Sequence, residues 1–176
     1  MTRRSVTAKT LTGPGPDRET LVKILTAAAR VPDHGKLSPW RFAVADGEGA
    51  SRLAEAAITS LRALGQDEGQ IDKARAVWET GASVVSVIAS PKPAKIPVWE
   101  QEASAACVCL GVVNAALAAG WGANWLSGPL CHDKGFLAHL GCAEGEWVPG
   151  FIHLGTPRIE PAERDRPDIA ALTTWL

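Results

Sequence analysis

The sequence predicts a sandwich of strands and helices of the α+β or α/β class, with the 176 residues forming one domain. Apolar residues make up 46% and charged residues 21%, as in an ordinary globular protein, and a chain of this length can bury one core. Short β-branched or alternating segments interleave with longer segments of helical periodicity, which indicates layered packing. The chain has no strand-to-helix Gly-x-Gly-x-x-Gly motif, so a Rossmann dinucleotide site is not predicted.

The first half of the chain is predicted to contain two helices and two strands. Asp17 is the candidate N-cap of the first helix, which runs to about Arg30 before Pro32 ends it. Alternating or β-branched residues indicate the strands, and the polar stretch to about residue 70 is predicted to be a loop. The elements that follow the first helix are a strand at 41–45, a turn at 46–49, a helix at 50–64 and a buried strand at 81–89.

The second half is dominated by a long apolar helix, which Trp99 opens and Gly120 ends. Its apolar run is broken by Ser104 and Asn114 and is shorter than the ~20 residues that a bilayer requires. We therefore predict a buried helix and no membrane partner. The later elements are a strand at 122–126, a short helix at 134–140, a strand at 148–155 and a proline- and charge-rich tail from 157.

Charge and cysteine content exclude several function classes. A net charge of −1 disfavours nucleic acid or an anionic membrane as a partner, since both normally require a basic excess. The basic start lacks a following apolar run, so no secretory signal is predicted and a cytoplasmic location is expected. The cysteines are predicted to be reduced and mostly buried; a zinc site with His132 or His139 is the disfavoured alternative, because C-x-C on a helix suits tetrahedral sites poorly. They are Cys107, Cys109, Cys131 and Cys142.

Tryptophan is unusually frequent, with seven residues and no tyrosine. Three of these side chains are predicted to fill the core, and three others to wall a ligand pocket. The predicted core residues are Trp78, Trp147 and Trp175. The predicted pocket residues are Trp40, Trp99 and Trp125.

The segment from Arg30 to Phe42 is crowded with polar side chains between two prolines. A loop that only connects two elements would not need the polar side chains of Arg30, His34 and Ser38 clustered in this way. Their clustering indicates a loop that could contact a ligand. The alternative is that Arg30 and His34 cap the end of the preceding helix, where positive groups interact favourably with the helix dipole.

Two further clusters carry basic residues near the chain ends. Arg3, Arg4 and Ser5 offer two guanidinium groups and a hydroxyl, which suit a phosphate. Arg164 and Arg166 repeat the pattern near the C-terminus. The alternative for both clusters is an ordinary solvated surface.

Glu100 and Glu102 form a further pair of charged residues, at the start of the long helix. Two neighbouring carboxylates resemble an acid/base pair. Acidic residues at a helix start more often interact with the helix dipole, and we favour that interpretation.

Four motifs in order resemble the small single-domain bacterial nitroreductases over nearly the whole chain. The resemblance implies an α+β fold, a three-layer α-β-α sandwich with a mainly antiparallel central sheet flanked by helices. It also implies an FMN-binding domain over residues 1–176 and a homodimer with the flavin site at the interface. The motifs are Arg-x-Pro-Asp-His-x-x-x-x-Pro-Trp at 30–40, Pro-Val-Trp-Glu-Gln-Glu at 97–102, Gly-Trp-Gly-Ala-Asn-Trp-Leu-Ser-Gly at 120–128 and Gly-Phe-Ile-His-Leu-Gly-Thr-Pro at 150–157.

The resemblance implies which residues contact the phosphate end of FMN. In the family, an Arg-Arg-Ser segment contacts the phosphate and the ring edge, which corresponds here to Arg3, Arg4 and Ser5. Larger relatives use a basic pair near the C-terminus for the phosphate, and Arg164 and Arg166 fit that spacing.

The same resemblance implies which residues contact the flavin ring. Arg30 and His34 would reach the ring across the dimer interface. Ser38 stands where the family usually has Asn or Gln. The segment that would line the cofactor consists of Trp125, Leu126 and Ser127, with Leu126 replacing a basic residue of close relatives.

The activity implied is an FMN-dependent NAD(P)H oxidoreductase that reduces nitroaromatic or quinone-like acceptors. Hydride would pass through flavin N5 in a ping-pong cycle with NADH or NADPH as donor, and no catalytic side chain is implied because the cofactor carries the chemistry. The alternatives are a flavin-binding sensor or carrier without turnover, and a flavin dehydrogenase that acts on a small metabolite.

Overall fold

A computed structural model describes residues 3–176. Within that range, five strands and five α-helices follow one another along the chain. In order they are β1 (Leu11–Thr12), α1 (Arg18–Ala28), β2 (Trp40–Ala45), α2 (Gly47–Ala63), α3 (Glu68–Trp78), β3 (Ser83–Ala89), α4 (Val98–Ala118), β4 (Gly122–Leu126), α5 (Lys134–His139) and β5 (Trp147–Pro157).

The long strand β5 organises the sheet. It pairs with β3, with Val85 opposite Ile152, and with β4, with Ala123 opposite Leu154. Its last residues pair with β1, and β2 pairs with the other edge of β3. Every one of these pairings is antiparallel, so the predicted antiparallel sheet is confirmed.

Helices cover both faces of the sheet, because the side chains of its central strands alternate between two buried clusters. Val85 and Val87 of β3 pack with α1 and α4 on one face. Val84 and Ile88 pack with α2, α3 and α5 on the other. The fold is therefore the predicted three-layer α-β-α sandwich.

Helix α4 is the predicted long apolar helix, and one of its faces is part of the core. Val108, Val112 and Ala116 are fully buried against the sheet and α1. Within the described residues α4 is also long and apolar enough to cross a membrane, but by length and composition only. The burial of one face is the packing expected of a core helix, as the sequence predicts.

Two predictions for the segment 46–70 were wrong. The predicted turn at 46–49 is the first turn of α2, which begins at Gly47 directly after Asp46. The polar stretch to about residue 70 overlaps the first turn of α3, a helix that was not predicted. Its start is a capping box: the Gln70 amide N–H donates to Asp67, and the Gln70 side chain accepts from the Asp67 amide N–H. The Asp-x-x-Gln spacing that marks this start was present in the sequence.

The tryptophans predicted to fill the core do not all do so. Trp78 is buried and meets the ring of Phe151 edge-on at 5.3 Å. Trp147 is half-buried and stacks on His132 at 4.8 Å. Trp175 is 89% exposed, because the tail leaves the core at the end of β5. The core prediction was therefore wrong for Trp175.

His153 of β5 is an imidazole buried without a hydrogen-bond partner. Its side chain is 1% exposed, and neither ring nitrogen has a partner within the described residues. The ring meets Trp78 edge-on at 5.0 Å. Burial lowers the pKa of His153 to about 4, so the neutral form fills this part of the core.

This burial predicts an acid sensitivity. His153 takes up a proton near pH 6.5 in the unfolded chain but only near pH 4 in the folded chain. Its contribution to the free energy of unfolding is therefore complete above pH 6.5 and is lost as pH falls toward 4. We expect the wild-type free energy of unfolding to fall by about 2 kcal/mol more than that of His153→Leu between pH 7.5 and 4.5 in urea titrations. The exposed His139→Leu variant is the control and should follow the wild type. Equal losses in wild type and His153→Leu would contradict the prediction.

Candidate functional site

The N-terminal segment is fixed against β4 by backbone contacts. The amide of Val6 donates to the Ala123 carbonyl at 2.9 Å, and the Asn124 side chain donates to the Val6 carbonyl at 2.5 Å. Val6 itself is buried. The segment before it therefore lies at one end of β4, with Arg3 and Ser5 exposed.

The C-terminal tail returns to the same place. After β5, the Arg158 amide donates to the Thr10 carbonyl at 2.9 Å, and the Arg158 guanidinium donates to the Lys9 carbonyl. The two chain ends enclose a cavity of about 490 Å³, which we call the arginine cavity. It is lined by all five residues predicted for the phosphate end: Arg3, Arg4, Ser5, Arg164 and Arg166.

Two carboxylates of the tail face this cluster of arginines. Glu163 pairs with Arg4 and lies 3.3 Å from a guanidinium nitrogen of Arg166. Glu160 also lines the cavity. The positive charge of the arginine cavity is therefore partly neutralised by the protein itself.

The segment 30–38, which we call the histidine loop, is held in an uncommon backbone conformation. Lys36 and Ser38 have positive φ values of 55° and 46°, a region that non-glycine residues rarely adopt. The Asp33 carboxylate accepts from the amides of Leu37 at 3.2 Å and Ser38 at 2.7 Å. Such strain persists where neighbouring contacts fix the chain, and here Asp33 supplies them.

Neither Arg30 nor His34 donates a hydrogen bond to the end of α1 within the described residues. The helix ends at Ala28. The exposed Arg30 guanidinium makes no hydrogen bond or ion pair anywhere in residues 3–176. His34 contacts Glu100 instead, with 2.6 Å between Nδ1 and the carboxylate oxygen.

The two carboxylates at the start of α4 have separate partners. Glu100 lies in the first turn, as the dipole interpretation predicts, and pairs with His34. Glu102 accepts from the Trp147 indole nitrogen at 2.9 Å. The sequence analysis missed both contacts, because each joins elements at least 45 residues apart.

The segment 125–127 lies at the opposite end of β4 from the arginine cavity. The Trp125 indole donates to the Pro149 carbonyl at 3.0 Å and packs over Gly150, where a Cβ would come within 2.2 Å of the indole nitrogen. Leu126 and Ser127 line a separate pocket of about 260 Å³. These residues are therefore not brought into the arginine cavity.

The two polar clusters also lie at opposite ends of α4. His34 contacts the helix at Glu100, whereas Asn114 and Leu117 line a cavity of about 860 Å³ that shares Arg3 and Arg4 with the arginine cavity. Fourteen residues separate Glu100 from Asn114, which is about 21 Å along a helix. Within one chain, His34 is therefore distant from the arginines predicted to act with it.

The cysteines are separate from both clusters. Cys109 and Cys131 are buried, Cys142 is half-buried and Cys107 is exposed. Burial raises the pKa of the Cys109 thiol to about 12. Across residues 3–176, no group of three or more His, Cys, Asp and Glu side chains is arranged to hold a metal ion.

Comparisons with known proteins decide the family. The model of the nitroreductase family matches residues 1–156. The chain belongs to the nitroreductase family. The members of this family are oxidoreductases, so the resemblance inferred from the sequence and the expectation of an enzyme are both confirmed.

Named relatives support the same assignment. The protein named "Putative NAD(P)H nitroreductase YdjA" of Escherichia coli (strain K12) is 38% identical over 175 residues, covering 98% of this chain and 94% of the relative. A "Putative NAD(P)H nitroreductase" of Haemophilus influenzae is 36% identical over 159 residues, covering 89% of this chain and 86% of the relative.

Solved structures share the fold. A nitroreductase-like family protein from Bacillus cereus has a TM-score of 0.83 at 23% identity, covering 99% of this chain and 91% of its own. A nitroreductase from Bacteroides fragilis, solved with bound FMN, has a TM-score of 0.74 at 22% identity and covers 99% and 94%. At this identity the likeness supports the fold and not the site.

The backbone of Ser38 gives a physical reason for an amide side chain at this position, as the sequence resemblance implies. Asn adopts positive φ more readily than Ser, and no hydrogen bond of the Ser38 hydroxyl would be lost within the described chain. We expect Ser38→Asn to raise the free energy of unfolding by about 0.5 kcal/mol in urea titrations. Ser38→Ala, the control, should bring no gain. A gain from Ala equal to that from Asn, or destabilisation by Asn, would contradict this explanation.

Proposed function

We propose that this protein is an FMN-dependent NAD(P)H oxidoreductase that reduces nitroaromatic or quinone-like acceptors in a ping-pong cycle. It acts as a homodimer with the flavin site at the interface, and the proposal includes the cytoplasmic location expected from the sequence. The observation that carries it is the arginine cavity, where two segments about 160 positions apart supply four guanidinium groups and a hydroxyl.

The chemistry of the arginine cavity fits the phosphate of FMN. Guanidinium groups form bidentate, charge-assisted hydrogen bonds to phosphate oxygens, and hydroxyls donate to the same oxygens. Arg3 already donates to Ser5 at 3.1 Å, so the two side chains are preorganised next to each other. Arg3, Arg4 and Ser5 would hold the phosphate from one side and Arg164 and Arg166 from the other.

The length of β4 suits a cofactor whose ring lies away from its phosphate. Gly122 lines the larger cavity beside Arg3, and Trp125 stands at the far end of the strand. Three residue steps along the strand span about 10 Å. Trp125, Leu126 and Ser127 would therefore line the ring while the arginine cavity holds the phosphate.

Helix α4 supports a dimer that completes the site. Its face away from the core is exposed and largely apolar over its whole length, with Trp99 68% and Leu110 46% exposed and with Cys107 also at the surface. An apolar stripe of this kind on a soluble enzyme is typical of a protein interface. The exposed apolar residues of the tail, Ile169, Leu172 and Trp175, add further surface of the same character.

A two-fold axis through this face would pair the two distant clusters. In an antiparallel crossing of α4 on its copy, the Glu100 end of one helix lies beside the Asn114 end of the other. The histidine loop of one protomer would then approach the arginine cavity of its partner. This arrangement gives a role to Arg30, whose guanidinium has no hydrogen-bond or ion-pair partner among residues 3–176.

When bound, FMN would supply the redox chemistry, the transfer of hydride from NADH or NADPH to the acceptor. The chain's residues bind and orient the cofactor and stabilise charge. Arg30 would hold positive charge beside the ring, where negative charge increases on reduction, and His34 would present a hydrogen-bonding nitrogen there. No side-chain nucleophile or catalytic residue is required.

The function is tested by the visible spectrum of the purified protein after addition of FMN. We expect a bound flavin whose absorbance is bleached by NADH or NADPH without oxygen and restored by a nitroaromatic compound or a quinone. Bleaching without restoration by either acceptor would favour a dehydrogenase of a small metabolite. Bound flavin that neither nucleotide bleaches would favour a sensor or carrier, and the absence of bound flavin would contradict every flavin function.

The composite site is tested with two variants that damage opposite halves. Arg3→Ala and Arg30→Ala should each raise the Kd of FMN about tenfold to a hundredfold in their homodimers, because each removes a charge-assisted contact. A heterodimer of the two, isolated with two different tags, should contain one intact site and bind one FMN per dimer with wild-type affinity. The control is Arg18→Ala, at the exposed start of α1, which should leave the Kd unchanged. A heterodimer without a tight site would show that Arg3 and Arg30 do not serve the same site across an interface.

A further inference from the structure

The pair formed by His34 and Glu100 joins the histidine loop to the start of α4. Nδ1 of His34 lies 2.6 Å from a carboxylate oxygen of Glu100, and the two residues are 66 positions apart. A carboxylate only accepts hydrogen bonds, so Nδ1 must carry the proton that is shared with Glu100. The His34 side chain is 63% exposed, whereas that of Glu100 is 28% exposed.

We propose that Glu100 is a positioning residue, which holds His34 as the Nδ1–H tautomer and directs its Nε2 toward the flavin site. A carboxylate partner on one ring nitrogen sets the tautomer and the orientation of an imidazole, and thereby the chemistry of the other nitrogen. The inference rests on the proposed function in one respect: it takes FMN as the ligand that Nε2 of His34 contacts.

Glu100 is well placed for this role because its own position is fixed. The next residue, Gln101, is buried and makes three hydrogen bonds to the segment before α4: its amide nitrogen donates to the carbonyls of Lys92 and Ile96, both at 3.1 Å, and its oxygen accepts from the Lys92 amide at 2.8 Å. These contacts fix the first turn of the helix and the loop that precedes it.

The same loop also contacts the backbone next to His34. A Cβ on Gly35 would lie 3.3 Å from Ile96, so the two segments are in close contact. On the other side, the Asp33 carboxylate holds the amides of Leu37 and Ser38. Both partners of the pair therefore stand on restrained backbone, and the 2.6 Å contact leaves the ring little freedom to turn.

Stability alone does not account for such a pair. A polar contact with one partner mostly exposed to water contributes little to stability. Glu102, two residues further along, satisfies the Trp147 indole instead, so the two glutamates of this turn have different tasks. Orientation of His34 is the task that the geometry assigns to Glu100.

The test uses nitrogen NMR of the imidazole in the FMN-free protein at pH 8, where neutral tautomers are distinguished. The chain has four histidines, so a His34→Gln variant assigns the signal. We expect Nδ1–H in the wild type and in Glu100→Gln, whose side-chain oxygen still accepts, but mainly Nε2–H in Glu100→Ala. The control Glu102→Gln should resemble the wild type. An Nε2–H tautomer in the wild type, or no change in Glu100→Ala, overturns the proposal.

The link to the ligand is tested by FMN titration of the same variants. Glu100→Ala should raise the Kd of FMN about tenfold, the loss of about one hydrogen bond between Nε2 of His34 and the flavin, and Glu100→Gln should restore most of the affinity. Urea titrations should show little change in the free energy of unfolding. An unchanged Kd in Glu100→Ala, while Arg3→Ala weakens binding, overturns the positioning role and leaves the proposed function standing. Failure of the proposed function would instead appear in the wild type, as an absence of FMN binding.

Discussion

The packing of α4 between α1 and the sheet is the contact on which the candidate site depends. The two helices approach most closely at Gly111, where a Cβ would come within 2.8 Å of the Ala28 carbonyl oxygen. Only a residue without a side chain permits this approach. Because Ala28 is the last residue of α1, the same contact fixes where the chain leaves the helix and enters the histidine loop. Backbone packing in the core thus determines the position of Arg30 and His34.

The same helix separates two polar clusters within one chain. Glu100 and Asn114 mark two ends of a rigid rod, and each end carries its own polar cluster. A straight helix cannot bring its ends together, so the clusters meet only through a second copy of the chain or act separately. The exposed stripe between them, which includes Trp99 and Leu110, favours the first arrangement.

Local patterns in the sequence were sufficient for most of the fold. The Asp17 cap predicts α1 correctly, because the interaction lies within four residues: its carboxylate accepts from the Thr20 amide at 2.8 Å. The β-branched segment 83–89 is the buried strand expected of its composition. Helix α3 was missed although Asp67 and Gln70 form a capping box, because the polar residues around them concealed the periodicity of a helix that buries Ile71 and Trp78.

The candidate site depended more on tertiary structure. Arg3 and Arg166 come together only because the tail folds back along β1, a path set by long-range backbone hydrogen bonds. The contact of His34 with Glu100 joins residues that no local pattern relates. The resemblance to a family predicted which residues matter, whereas their partners within the chain emerged only from the structure.

Charge in the arginine cavity explains how a protein of net charge −1 can select an anion. Glu163 contacts Arg4 and Arg166, so any ligand must displace or share a carboxylate that is already tethered beside them. A phosphate monoester carries about −1.5 to −2 charges and three acceptor oxygens at neutral pH, whereas a carboxylate carries one charge and two oxygens. With phosphate as the proposed ligand, Glu163 would favour phosphate over simple carboxylates, because only the more highly charged group gains from replacing it. Selectivity would then come from the competing carboxylate as much as from the arginines.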